Sequence, residues 1–171
     1  SCDDIELNDN DIVFDIGANV GVFSIFASMK KGVKVFAFEP HPSNYKILIN
    51  NIEKNKIKNV ECYSYALGLK NEDRFLMQQG ISGGHKLLNA KITTSDCKNI
   101  TVQSLRLKTV MKNLNVEYID FLKLDCEGAE GEIIHSLGIN EFKSINKIAM
   151  EFHDNHSMLN HIEILQHLKG L

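Results

Sequence analysis

The chain has only two arginines, no Cys-x-x-Cys pair, and no apolar run that approaches membrane-spanning length. Each shortage narrows the function. Bidentate phosphate contacts come from arginine, and Arg74 and Arg106 stand far apart in sequence. The formal charge of −3 supplies no field to draw a polyanion, so nucleic acid is not an expected partner. A bilayer-crossing helix needs about 20 apolar residues, so no membrane is expected either. The acidic opening (Asp3, Asp4, Glu6) is not the positive head of a signal peptide. The four cysteines, Cys2, Cys62, Cys97 and Cys126, are scattered. Cys62 falls in an apolar strand pattern and reads as a small core residue, which fits a reducing cytoplasm. Internal repeats and low-complexity segments are absent.

What remains is an ordinary globular composition, 43% hydrophobic and 24% charged in 171 residues. That length predicts a single domain over residues 1–171 with a sizeable core. The chain opens without methionine, inside what reads as a lead-in strand, which is compatible with a trimmed or an incompletely ordered chain.

Strand and helix patterns alternate. Ile12–Ile16 reads as a strand, Val20–Lys30 as a helix, Val33–Phe38 as a strand and Ser43–Lys54 as a helix opened by Pro42 with His41 or Ser43 as cap. Val60–Ala66 alternates as a third strand. Over about 67–98 the pattern weakens around Gly68, Gly80, Gly83 and Gly84, with Phe75–Met77 a short strand, which suggests an insertion or lid. Regular structure then resumes: strand Ile100–Leu105, helix Lys108–Leu114, strand Ile119–Leu124, helix Ala129–Leu137, strand Lys147–Phe152 and helix Met158–Leu168. This alternation predicts an α/β fold with right-handed crossovers and a parallel sheet.

The richest local signal is Asp11-Ile-Val-Phe-Asp-Ile-Gly-Ala-Asn-Val-Gly21. An apolar strand carries one acid, Asp15, then breaks into a glycine turn that runs into a helix. Glycines allow close backbone approach, and a new helix offers unpaired N–H groups, so this is where an α/β domain makes a nucleotide site. The alternative is a plain strand-to-helix turn. A dinucleotide fingerprint needs Gly-x-Gly-x-x-Gly, but Asn19 and Ser24 occupy two of its glycine positions. Asp15 would also repel a pyrophosphate, whereas a ligand bearing an ammonium and a sulfonium would welcome it. Asp-x-Gly-x-x-x-Gly is the pattern of S-adenosylmethionine sites.

Glu39 ends the second strand, 18 residues past Gly21, where an acid can accept hydrogen bonds from both ribose hydroxyls. A solvated strand-end acid is the alternative. Phe121-Leu-Lys-Leu-Asp-Cys-Glu-Gly-Ala-Glu-Gly-Glu132 crowds four carboxylates at a strand end and the helical turn after it. Offsetting a helix dipole accounts for Glu130 and Glu132. It accounts less well for Asp125 and Glu127, which lie two apart on an extended segment and point the same way. Lys123 alternates with them and can pair with one carboxylate. Glu151 and His153 repeat the two-apart spacing at the end of the last strand. If that strand neighbours Ile119–Leu124, then Asp125, Glu127, Glu151 and His153 converge beside the glycine turn as an acid–base or metal-binding group. His153 on its own reads equally as a structural histidine. His156 and His161 suit solvated helix ends, and Met158, Leu159, Ile162 and Leu165 form a core stripe.

Taken in order, Asp15-Ile-Gly-Ala-Asn-Val-Gly21, Phe38-Glu-Pro-His-Pro42, Ile119-Asp-Phe-Leu-Lys-Leu-Asp-Cys-Glu-Gly-Ala-Glu130 and Glu151-Phe-His153 resemble the FkbM-type methyltransferase family. The resemblance runs from about Asp11 to His153, and its third motif is the most specific. It implies a Rossmann-like methyltransferase fold, a mostly parallel central sheet flanked by helices, that uses S-adenosyl-L-methionine to methylate a hydroxyl on a sugar, glycan or small natural product. On this resemblance Asp15, Gly17, Ala18, Asn19 and Gly21 line the methionine portion. Glu39 serves the ribose with Pro40 among the cofactor-binding residues, and the Ser64-Tyr-Ala-Leu67 stretch, with Ser64 and Ala66, lies near the adenine. Asp125, Glu127, Glu151 and His153 face the acceptor. Such folds usually end in an antiparallel strand pair, and this sequence stops at Leu171 before one. Cys126 replaces a more usual aliphatic residue and reads as packing.

The expected reaction is in-line methyl transfer from sulfonium to oxygen, accelerated by alignment and exclusion of water. His153 or Asp125, in that order, would take the hydroxyl proton. A carboxylate-bound divalent ion is the alternative way to activate the hydroxyl, although no metal is assigned, and Gly80–His85 is a candidate acceptor lid by hinge composition. The rival readings are a nicotinamide-dependent oxidoreductase, disfavoured by Asn19 and Ser24, and a nucleoside-binding scaffold without turnover.

Overall fold

The computed structural model describes residues 6–78, 85–88, 99–126 and 128–151, together with positions 163 and 166. In chain order the elements are β1 (Ile12–Ile16), α1 (Val22–Ser28), β2 (Lys34–Phe38), α2 (Pro42–Lys54), β3 (Val60–Tyr63), β4 (Ala66–Leu67) and β5 (Glu72–Gln78). There follow β6 (His85–Leu88), β7 (Asn99–Leu105), α3 (Leu107–Leu114), β8 (Ile119–Leu124), α4 (Glu130–His135), α5 (Ile139–Lys143) and β9 (Ile145–Met150). Five strands form one sheet in the order β3-β2-β1-β8-β9, parallel throughout. A second sheet, β4-β7-β5-β6, is antiparallel except where β4 joins β7.

Both faces of the parallel sheet are covered, so its strands are apolar on both sides. Phe14, Ile16, Phe36, Phe38, Leu122 and Leu124 pack on one face with Val110 and Met111 of α3 and Ile133 and Ile134 of α4. The alternate residues Val13, Val35 and Phe121 meet Ala27 of α1, and Ala37 meets Leu48 and Ile52 of α2. Asp15 alternates with Val13, so its carboxylate is turned toward α1 rather than into the larger core. Phe38 sits between Phe14 and Tyr63, each 5.4 Å away between ring centroids, with Tyr65 at 5.6 Å. Cys62 packs beside α2 and Cys126 against the larger cluster, as expected of small apolar side chains. Burial pushes the Cys62 thiol up to about 11.

Several boundaries differ from the sequence reading. The expected strand Val60–Ala66 is two strands in different sheets. The Tyr63 carbonyl is taken by the Glu39 N–H, and Ala66 pairs instead with Ser104 on β7. The weak region after Leu67 contains β5 and β6, whose polar residues hide the strand period. Helix α1 begins at Val22 because Val20 and Gly21 belong to the turn, and α4 ends at His135, before a short α5 that the pattern did not signal. His41 precedes α2 without a side-chain cap bond. The expected helix Met158–Leu168 lies outside the described residues except Glu163 and Gln166, both helical. Among the described residues, no helix is long and apolar enough to cross a membrane.

Candidate active site

The carboxyl ends of the parallel strands share one hydrogen-bonding pattern. The residue just beyond each strand donates its N–H to its neighbour: Glu39 to the Tyr63 carbonyl (3.0 Å), Gly17 to Phe38 (3.0 Å), Asp125 to Ile16 (3.0 Å) and Glu151 to Leu124 (2.9 Å). With the pairings Phe38↔Tyr63, Ile16↔Phe38, Ile16↔Leu124 and Leu124↔Met150, this aligns Ser64, Glu39, Gly17, Asp125 and Glu151 in one row across the sheet mouth. Asp125 and Glu151, 26 positions apart in sequence, are thus neighbours.

The centre of the row is the glycine turn. Gly17 has φ +80°, and a Cβ there would overlap the Asp125 carbonyl, so β1 and β8 can close only around a glycine. Asn19, with φ +51°, takes a left-handed conformation that asparagine tolerates. The N–H groups of Gly17 and Ala18 both go to Phe38, that of Asn19 to Glu39, and that of Gly21 to Ala18. These four donors are used inside the fold; the helix-opening N–H groups of Val22, Phe23 and Ser24 are not among them. Among the described residues, the carbonyls of Gly17 and Asn19 accept no hydrogen bond.

Glu39 is buried at the mouth. Its Oε2 accepts the Asn19 N–H and its Oε1 the His41 N–H, each at 2.8 Å. Burial raises its carboxyl above the ordinary value, and these two donors pull against that rise. Asp15 lies beneath the turn with no exposed surface. Its Oδ2 accepts from Ser24 Oγ at 2.6 Å, and Lys123 Nζ stands 3.3 Å from Oδ1 without forming a hydrogen bond to it. Lys123 also donates to Asp125 Oδ2 at 3.2 Å. Burial raises Asp15, while Lys123 and Ser24 oppose the rise. Burial pulls Lys123 down, but Asp15 and Asp125 outweigh it and hold its ammonium above its ordinary value. The expected lysine–carboxylate pair is therefore a bridge between two carboxylates, one buried and one, Asp125, a third exposed.

Glu130 is fully buried and accepts from the N–H groups of Cys126 (2.8 Å) and Gly128 (2.9 Å), fixing the loop that follows Asp125. Glu132 makes a buried bidentate pair with Arg74 of β5, so a helix-dipole account is too small for either acid. Ala18 is buried beside α2, Pro40 is half-buried, Ser64 is exposed between the two sheets, and Ala66 is buried in the second sheet. Glu127 and His153 lie outside the described residues, as does the Gly80–His85 lid apart from His85. Ser24 was missed because a serine one helical turn after a glycine carries no sequence signal. Glu130 had one in retrospect, an acid placed to cap the loop before its own helix. Among the described residues, no group of three His, Cys, Asp or Glu is arranged to hold a metal ion.

A doubly covered parallel sheet of this order, with a glycine turn after β1 and acids after β2 and β8, is a Rossmann-like fold of the methyltransferase type. An rRNA methylase from Streptococcus thermophilus superposes with a TM-score of 0.56 at 12% identity, covering 96% of this chain and 72% of that one. The methyltransferase FkbM domain model matches residues 15–170, and the chain belongs to that family. It is 24% identical to the 31-O-demethyl-FK506 methyltransferase FkbM of Streptomyces tacrolimicus, over 88% of this chain and 68% of that protein. It is 26% identical to the hexuronic acid methyltransferase AglP of Haloferax volcanii, over 86% of this chain but only 58% of that protein.

Proposed function

We propose that the chain transfers a methyl group from S-adenosyl-L-methionine to a hydroxyl of a sugar, glycan or small natural product. The observation that carries the reading is the mouth row, in which a side-chain-free Gly17 stands between Glu39 and Asp125. A dinucleotide is disfavoured by Asn19 and Ser24, which stand at two of the glycine positions its fingerprint needs. The open carbonyls of Gly17 and Asn19 suit a ligand that presents an ammonium and a sulfonium.

The cofactor supplies an electrophilic methyl on sulfur; the chain's part is to bind, align and exclude water. Gly17, Ala18, Asn19 and Gly21 shape the methionine side. Glu39 serves the ribose, Pro40 is among the cofactor-binding residues, and Ser64 and Ala66 stand toward the adenine. Asp15 acts from beneath, through Ser24 and Lys123. On the acceptor side His153 and then Asp125 are the candidate bases, Glu127 and Glu151 are further candidates, and Gly80–His85 is the candidate lid. Arg74 is engaged by α4 and Arg106 by Ser136 just after it, which supports an acceptor other than nucleic acid. Cys62 and Cys126 are free thiols, which suits a reducing cytoplasm.

The test is transfer of labelled methyl from S-adenosyl-L-methionine to a panel of neutral glycosides, uronates and polyketide alcohols, with the labelled atom located by mass spectrometry. Label on oxygen is the expected result. Label on nitrogen or carbon would refute O-methylation, and no transfer despite cofactor binding would favour the non-catalytic scaffold.

A further inference from the structure

Arg74 ends on α4, the helix that follows the acceptor-side loop, and Arg106 on Ser136, the residue just after it. Arg74 reaches across from β5, buried to 3% exposure. Its Nη1 meets Glu132 Oε2, and its Nη2 meets Oε1 at 3.1 Å. Arg106, just before α3, donates from Nη2 to the Ser136 carbonyl at 2.8 Å, at the other end of α4. One turn of that helix therefore carries two buried carboxylates with different tasks. Glu132 ties the helix to the second sheet, and Glu130 holds the N–H groups of Cys126 and Gly128.

We infer that Arg74 is a positioning residue for the acceptor side: through Glu132 it sets α4, and through Glu130 it sets the backbone that presents Asp125. The inference relies on the methyltransferase reading only for what the loop is used for. A purely stabilising role fits the pair poorly. A buried ion pair seldom outdoes apolar residues of the same volume, and this one also leaves Arg74 Nε and Ser104 Oγ buried without partners. Its particular product is orientation. The planar guanidinium engages both oxygens of Glu132 and so fixes the helix in rotation as well as distance. Gly68 supplies the room, since a Cβ there would stand 2.7 Å from Ser104 Oγ and 3.2 Å from Arg74 Nη1.

The experiment is amide hydrogen exchange by NMR on the whole chain, native and Arg74→Lys, with S-adenosylhomocysteine affinity measured in parallel. A lysine keeps the charge but cannot engage both oxygens. The expected result is exchange at Cys126 and Gly128 at least about tenfold faster, with Phe14, Val35 and Leu122 changed less than about twofold and S-adenosylhomocysteine affinity within about threefold. Uniform acceleration of all these amides, or none at Cys126 and Gly128, would overturn the inference. Should Arg74→Lys fail to fold, Glu132→Gln decides by the same pattern. If the native chain did not bind S-adenosylhomocysteine, the methyltransferase reading would fail while the exchange comparison still judged the coupling.

Discussion

In the parallel sheet, each strand end that meets the mouth is fastened to its neighbour by a backbone bond of 2.9–3.0 Å, and the ligand-side residues are laid out by register. The second sheet is joined to α4 differently, by the side chain of Arg74. Backbone fastening leaves little freedom in where Gly17, Glu39 and Asp125 stand. Side-chain fastening can be changed by a single substitution without disturbing the strands. The comparison teaches that the row at the sheet mouth, Asp125 included, is set by the topology itself, whereas the loop that follows Asp125 and the helix after it are set by a few buried polar contacts.

The contrast can be broken most severely at Gly17. Gly17→Ala introduces a Cβ against the Asp125 carbonyl at a positive φ, and is expected to cost about 3–5 kcal/mol and abolish nucleoside binding. Denaturant melts and a binding titration check it; a loss under about 1 kcal/mol would mean the β1–β8 junction is loose. Next comes Glu130→Ala, which strips two backbone donors of their buried acceptor and should cost about 2–4 kcal/mol. Its effect on acceptor turnover should exceed its effect on cofactor affinity. Equal losses in both would erase the distinction between the two sides.

A pH series sharpens the cofactor side. Burial raises Asp15 and Glu39 in the native chain, so the folded state holds their protons more tightly than the unfolded one. Stability from each is full below its ordinary value, 3.8 and 4.5 respectively, and is lost as pH climbs through the raised native value. Glu39→Gln removes one of these losses. The native chain should therefore lose stability relative to this variant above about pH 4.5, by about 1.4 kcal/mol for each unit of upward shift. Melts across pH 4–8 measure it, and a pH-independent difference would mean Glu39 is not raised. The smallest effect belongs to the exposed side of the Lys108–Glu141 pair, where Lys108→Ala should change stability by less than about 0.5 kcal/mol.

The same contrast explains what was legible in the sequence. Strands buried on both faces appear as unbroken apolar runs, so Ile12–Ile16 and Ile119–Leu124 could be read to the residue. Asp15, Gly17, Asn19, Gly21 and Glu39 were legible because a glycine turn and a strand-end acid sit at fixed offsets from such runs. Glu72–Gln78 carries two acids, an arginine and a glutamine, so its strand period was hidden. Contacts that join distant segments left no local trace. Ser24 on Asp15 and Arg74 on Glu132 exist only once the chain has folded, and Arg74 was first read for its availability to phosphate. The break after Tyr63 was equally invisible, because the partner that draws Ala66 away lies on β7.

The most direct test of the account is calorimetric titration of the chain with S-adenosylhomocysteine and, separately, with NAD. Micromolar binding of S-adenosylhomocysteine with none of NAD is the result the account requires. Binding of NAD alone would contradict it.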